Sequence, residues 1–411
     1  MKKLLFIVLM SGVCMLQAQQ IDMLLKGGHV IDPKNGIDTI MDVAVADGKI
    51  LEVAENISED SADQVVDVRG LYVVPGIIDM HTHNFWGTEE GAYLRNSYSA
   101  LPPDGFTFRA GVTTVVDAGS PGWRNFPQYK RQTIDKSKTR VLTFLNIVGE
   151  GMRGGAWEQD VNDMDPKLTA MVAKQNKEYI VGVKLAHFSG QNWEPTELAV
   201  EAGELAGIPV MIDFGGSEPA LSIEELFMEK LRPGDIYTHC YAGVVGRERI
   251  VDREGNLKPF VISAQERGII FDVGHGGGSF VFSQAIPAIE QGLKPNSISS
   301  DLHTGSMNGG MKDMANLMSK FLNLRLSLYE VIERSTWNPA QIIQRPELGH
   351  LSKDAVADIA VFDLVEGDFG FIDVQGGRLK GDQKLIAELT IREGTVVWDL
   401  NGISRPSWNN K

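Results

Sequence analysis

Between residues 76 and 345 eight short apolar runs alternate with stretches of helical pattern, and this alternation constrains the fold more than any other feature. The runs cover 77–80, 113–117, 141–146, 180–184, 209–213, 236–239, 269–273 and 297–301. Strands separated by helical segments cannot pair through tight turns; they return by crossovers and lie parallel. Eight such units across roughly 270 residues are the expected size of a (β/α)8 barrel. A doubly wound open sheet is the competing arrangement, but no glycine-rich dinucleotide fingerprint follows the first strand.

The two chain ends have a different texture. From Ile21 to Val73 the pattern is short β-rich runs punctuated by glycine. Met41-Asp-Val-Ala-Val-Ala-Asp-Gly-Lys-Ile50 reads as two strands joined at Asp47-Gly48, a hairpin signal. Near the other end, Asp358-Ile-Ala-Val-Phe362 is a short strand, and a strand pair from Leu389 to Trp398 turns at Glu393-Gly394. The expected organisation is a barrel over 76–345 and a small β-sandwich built from 19–75 and 346–411.

The 411 residues, 43% apolar and 23% charged, have the balance of a soluble globular protein. A formal charge of −15 argues against a general nucleic-acid or acidic-membrane binder and says nothing specific about a small-molecule substrate. Homo-oligomerisation is left open. Residues 1–18 read as a signal peptide: Lys2-Lys3, an apolar core from Leu4 to Leu9 with Met10 and Val13, and a cleavage site at Leu16-Gln-Ala18. The run is too short to span a bilayer, so no stable membrane insertion is expected after cleavage. Cys14 invites a lipid-anchor reading, but Val13 before it is large for such a site. The expectation is an exported protein, periplasmic or secreted, whose one remaining cysteine is Cys240.

Chemistry gathers where the barrel strands end. Val74-Pro-Gly-Ile-Ile-Asp-Met-His-Thr-His83 runs an apolar strand into two histidines spaced i, i+2, which share one face of a strand. Imidazole is the commonest metal ligand at neutral pH. Lys184 closes the fourth run, Asp213 the fifth, His239 the sixth and Asp301 the eighth, with His275 just past the seventh. In a barrel these positions meet at the C-terminal face, where active sites form. Each has a plainer reading: Lys184 as a solvated strand end, His239 as a packed core residue, His275 as loop structure, Asp301 as a cap. Their common registration at strand ends favours a site. A lysine flanked by apolar residues needs a partner or a lowered pKa, and its neutral amine can take up CO₂ to become a carbamate able to bridge two cations.

Further stretches complete an ordered series: Gly111-Val-Thr-Thr-Val-Val-Asp117, Gly182-Val-Lys184, Arg232-Pro-Gly-Asp-Ile-Tyr-Thr-His239, Phe271-Asp-Val-Gly-His-Gly276, Ser299-Ser-Asp-Leu-His303, Thr336-Trp-Asn-Pro-Ala340 and Ala357-Asp-Ile-Ala-Val-Phe-Asp363. Through them the chain resembles the amidohydrolase superfamily, most closely the amidohydrolase/deacetylase branch related to dihydroorotases. The resemblance implies a hydrolase with two divalent cations, zinc first among them. His81, His83 and Asp301 would hold one cation; a carbamylated Lys184 would bridge to a second, also held by His239. A shared hydroxide would attack an amide or ester carbonyl, and Asp301 would carry its proton to the leaving group. His303 would lie behind the ligands.

One position departs from the pattern. Where the family places a histidine on the fifth strand, this chain reads Pro209-Val-Met-Ile-Asp213. The expectation is that Asp213 replaces it as a ligand; the rival is a weakened second site. The resembled branch includes deacetylases and esterases of small acylated acids, so such a substrate is expected, with Arg153, His187 and His275 as candidate contacts. A cyclic amide of the dihydroorotase or hydantoinase type is the alternative, and a metal-poor binding protein a third reading.

Overall fold

The computed structural model describes residues 20–408, so the expected leader over 1–18 and Cys14 lie outside the described residues. Five strands form the N-terminal part of one mixed sheet: β1 (Met23–Asp32), β2 (Ile37–Ala46), β3 (Lys49–Ala54), β4 (Val65–Asp67) and β5 (Tyr72–Pro75). Seven more build the barrel: β6 (Ile77–Thr82), β7 (Val112–Gly122), β8 (Arg140–Asn146), β9 (Ile180–Ala186), β10 (Val210–Asp213), β11 (Ile236–Tyr237) and β12 (Ile270–Phe271). The chain then returns to the first sheet with β13 (Ile359–Ile372), β14 (Arg378–Arg392) and β15 (Thr395–Asp399).

The two ends meet where β5 pairs antiparallel with β13, giving the order β15-β14-β13-β5-β1-β2-β3 with β4 beside β1. Both hairpin signals hold. Asp47-Gly48 and Glu393-Gly394 each have positive φ at both positions, as a two-residue turn of matching twist requires. The alternating apolar residues Leu25, Val43, Val45, Val73, Val361 and Leu389 fill a single core. The outer strand β3 is met by the segment ahead of β13, with Ile50 N donating to Ala355 O at 2.8 Å. The unit is thus one sheet curled around its own core.

β13 and β14 are far longer than the short strands the sequence suggested, at 14 and 15 residues. Their distal halves leave the small sheet and lie along the barrel helix Met314–Leu322, where Leu385 N donates to Ser319 Oγ at 2.9 Å. The stretch through Glu366, Gly367 and Asp368 has no period-2 apolar pattern, so nothing in the sequence announces it.

The barrel strands run parallel in the order β12-β11-β10-β9-β8-β7-β6. β6, β7, β9 and β10 are buried along their whole length, the mark of parallel strands covered on both faces. The eighth run, 297–301, closes the ring without becoming a regular strand. On one side Val273 N donates to Ser297 O and His275 N to Ser299 O; on the other Asp301 N donates to His81 O and His83 N to Leu302 O. Two local causes interrupt it. Asp301 sits at φ +52, outside extended geometry, and the serines spend their hydroxyls on buried acids. Among the described residues no helix is long and apolar enough to cross a membrane.

Candidate metal centre

β6 delivers His81 and His83 to the mouth of the barrel, with ring centroids 5.5 Å apart. His239 follows β11, its ring 5.0 Å from that of His81, and Asp301 ends the closing segment. His81, His239 and Asp301, all buried, each offer one donor atom within 4.8 Å of the others. His83 Nε2 lies 3.0 Å from Asp301 Oδ1.

All three histidines are anchored the same way. His81 Nδ1 meets Thr238 Oγ1 at 2.9 Å, and that hydroxyl donates to Asp272 Oδ2 at 2.7 Å. His83 Nδ1 meets Ser120 Oγ at 3.2 Å, and His239 Nδ1 donates to Gly274 O at 2.5 Å. With Nδ1 engaged by oxygen, Nε2 of each ring faces the centre, as in metal-ligating histidines. Burial, joined by the charge of Lys184, drives the His81 pKa down to about 3, so its ring is neutral and able to ligate.

Lys184 is wholly buried at the end of β9, and its Nζ has one hydrogen-bond partner among the described residues, Met211 Sδ at 3.5 Å. Room for its stem comes from Gly119 on β7, where a Cβ would stand 2.5 Å from Lys184 Cγ. Burial lowers its pKa although Asp213, Asp301 and Asp272 pull the other way. A buried amine offered only a thioether is a costly arrangement unless something else completes it. Asp301 is buried too, which alone would raise its pKa; His81, His303 and His83 hold it below the usual carboxylate range. This nitrogen-and-oxygen donor set, with an uncompensated lysine beside it, fits divalent cations such as zinc.

Asp213, at the end of β10, has a different environment. Its Oδ1 lies 2.5 Å from Arg247 Nη2, and its Oδ2 lies 3.1 Å from His239 Nε2 and 3.5 Å from His187 Nε2. Burial alone would raise its pKa; His239 and Arg247 hold it well below the usual range. His187, at φ +57, also takes Glu158 Oε2 on Nδ1 at 3.0 Å. Arg153 lies against Trp157, 4.3 Å from the ring centroid, and pairs with Glu150. A cleft of about 1150 Å³ lies beside His187 and is lined by Tyr93, Tyr98, Arg153, Trp157 and Glu158. Another of like size lies at the opposite ends of the strands, around Arg140 and Tyr179.

His275 does not reach this cleft. Its ring is wholly buried, stacked 4.6 Å from Phe280, with Nε2 2.6 Å from Lys320 Nζ. The three glycines after it suggested a mobile contact, whereas its backbone is pinned by Ser299 O and its ring by aromatic packing. In this structure its ring packs between Phe280 and Lys320, away from the cleft. His303 caps a short helical turn, accepting from Gly305 N at 3.0 Å, with Nε2 3.9 Å from Asp301 Oδ2. Sequence reasoning missed Arg247, Glu158 and Ser120. Thr238 and Asp272 lay within quoted stretches without a role.

No family model matches the chain. A deacetylase of Brucella anthropi is 34% identical over 347 residues, covering 82% of this chain and 83% of that protein. The crystal structure of an adenine deaminase superposes with a TM-score of 0.82 at 29% identity, covering 92% of this chain and 100% of the other. That of a dihydroorotase gives 0.79 at 29% identity, covering 92% and 99%. The barrel fold is thus shared with known hydrolytic enzymes. The chain belongs to the amidohydrolase superfamily, in the branch related to dihydroorotases. It is a hydrolase acting on carbon–nitrogen bonds.

Proposed function

We propose that the chain is a two-cation deacylase that cleaves the amide or ester bond of a small acylated acid. The observation that carries this reading is the convergence of His81, His239 and Asp301 beside a buried Lys184 that no oxygen among the described residues satisfies. His81, His83 and Asp301 are the proposed ligands of one cation, and His239 and Asp213 of the other. Lys184, as a carbamate formed by adding CO₂ with loss of a proton, would help hold both cations. Divalent cations held there supply Lewis acidity and lower the pKa of water from 15.7 to about 7.

The remaining work falls to side chains. Asp301, held ionised by its histidine neighbours, accepts the proton of the attacking water and returns it to the leaving nitrogen or oxygen. Arg153, braced by Glu150 and Trp157 at the cleft, pairs with the substrate carboxylate; His187 flanks it. A cyclic-amide substrate is the second reading, supported by the likeness to a dihydroorotase over 92% of the chain. The protein is proposed to act in the periplasm or outside the cell.

The test is hydrolysis of N-acyl amino acids, acyl esters and cyclic amides by protein supplied with zinc and bicarbonate. Turnover of open-chain acyl substrates, abolished by chelation and restored by metal, is expected. Turnover of cyclic amides alone would replace the deacylase reading with the second one.

A further inference from the structure

Arg247 lies on the loop after β11, 34 residues from Asp213 in sequence, yet its side chain is only 9% exposed. It lies 5.3 Å from the Phe214 ring centroid and gives Nη2 to Asp213 Oδ1 at 2.5 Å. The other oxygen, Oδ2, is turned toward His239 Nε2, the nitrogen that faces the metal centre. The carboxylate is therefore divided: one oxygen belongs to arginine and one remains for the site.

Charge makes the division consequential. Asp213 and Asp301 are both buried acids that flank His239, and a second unpaired carboxylate there carries a large desolvation penalty. The Asp213–Arg247 pair sums to zero, the charge of a neutral imidazole. A planar guanidinium also fixes the carboxylate plane, which a lysine point charge does not. We propose that Arg247 is a positioning residue that makes Asp213 act as a charge-neutral, one-oxygen ligand of the second cation. The proposal rests on the two-cation reading above.

Metal content per chain, by inductively coupled plasma mass spectrometry on protein purified without chelators and resupplied with zinc and bicarbonate, tests both separately. Wild type is expected to hold two equivalents. Arg247→Met is expected to fall to one, because Asp213 is left anionic and free to rotate. Asp213→His is also expected to fall to one, because the buried guanidinium then faces an imidazole and a cation with no counter-charge. The double variant Asp213→His/Arg247→Met removes both charges and is expected to return to two. That rescue is not expected if Arg247 merely holds the loop. Wild type at two with Arg247→Met also at two overturns the inference alone, as does a folded double variant that stays at one. Wild type at one removes the two-cation reading and the inference with it. Should either single variant fail to fold, the double variant decides by the same count.

Discussion

The proposed ligand positions at the first and sixth strands and the one at the fifth lie together at the barrel mouth and are supported in opposite ways. His81, His83 and His239 rest their Nδ1 atoms on a threonine, a serine and a backbone carbonyl, so the hydrogen bond that orients each ring runs to an uncharged oxygen. Asp213 rests on Arg247 and two histidines, so its orientation comes from charge pairing. Supports of the first kind tolerate a cation arriving nearby, since hydroxyls and carbonyls carry no opposing charge. A guanidinium repels that cation unless its own charge is already spent on the carboxylate. The fifth-strand corner is thus expected to be the more fragile half of the centre.

The largest effect should come from the acid proposed to carry the proton. Asp301→Asn keeps the shape but removes the proton acceptor, and kcat is expected to fall by about 10²–10⁴-fold. The thermal midpoint should stay within a few degrees of wild type. A loss below tenfold would shift the proton-carrying role elsewhere in the cavity. Lys184→Met asks whether the buried lysine serves the fold or the metals. If it serves the metals, activity and metal content drop together, while the chelated, metal-free protein becomes more stable by about 1–3 kcal/mol through loss of an unsatisfied buried amine. A destabilised apo-protein would instead mark Lys184 as a structural group.

Thr238→Val sharpens the contrast between the two kinds of support. Valine fills the same space but cannot accept from His81 Nδ1, so the ring loses its anchor and its bridge to Asp272. Loss of such an outer contact typically weakens metal binding by about 10–100-fold, measurable by competition with a chromogenic chelator. Unchanged affinity would show that packing alone holds the ring.

What the sequence revealed divides along the same line. Strand ends are legible because apolar runs have a period and a charged residue at their edge breaks it; His81, Lys184, Asp213, His239 and Asp301 were all found that way. The two turns at Asp47-Gly48 and Glu393-Gly394 were legible because only a few residue types adopt positive φ there. Arg247 was not, since a lone arginine in a loop carries no pattern and its partner stands on another strand. The closing eighth segment was found as an apolar run but not as an irregular one, because its serines are committed to Asp79 and Asp272, contacts that sequence spacing does not encode. The packing of His275 was not legible, because glycines beside it signal freedom while Phe280 and Lys320 hold its ring from outside the motif.

The smallest expected effect lies away from the centre, and it separates an acid held by the fold from the acids of the metal site. Asp42, on β2 of the curled sheet, accepts from Lys26 Nζ at 2.7 Å, Gly27 N at 2.8 Å and Ile57 N at 2.8 Å. Burial would raise its pKa, yet Lys26 and the two backbone donors lower it on balance. A depressed carboxylate contributes stability above its unfolded pKa and loses that contribution as pH falls through the folded value. Asp42→Asn should therefore cost about 1.5–3 kcal/mol at neutral pH, the range for hydrogen bonds to a charged group. The difference from wild type should shrink as pH falls below about 4, where the unfolded carboxyl begins to protonate. Denaturant unfolding of metal-free protein at both pH values measures it. A gap that stays constant with pH would mean that shape rather than charge holds this corner, and that the metal centre's reliance on ionised acids has no counterpart in the rest of the fold.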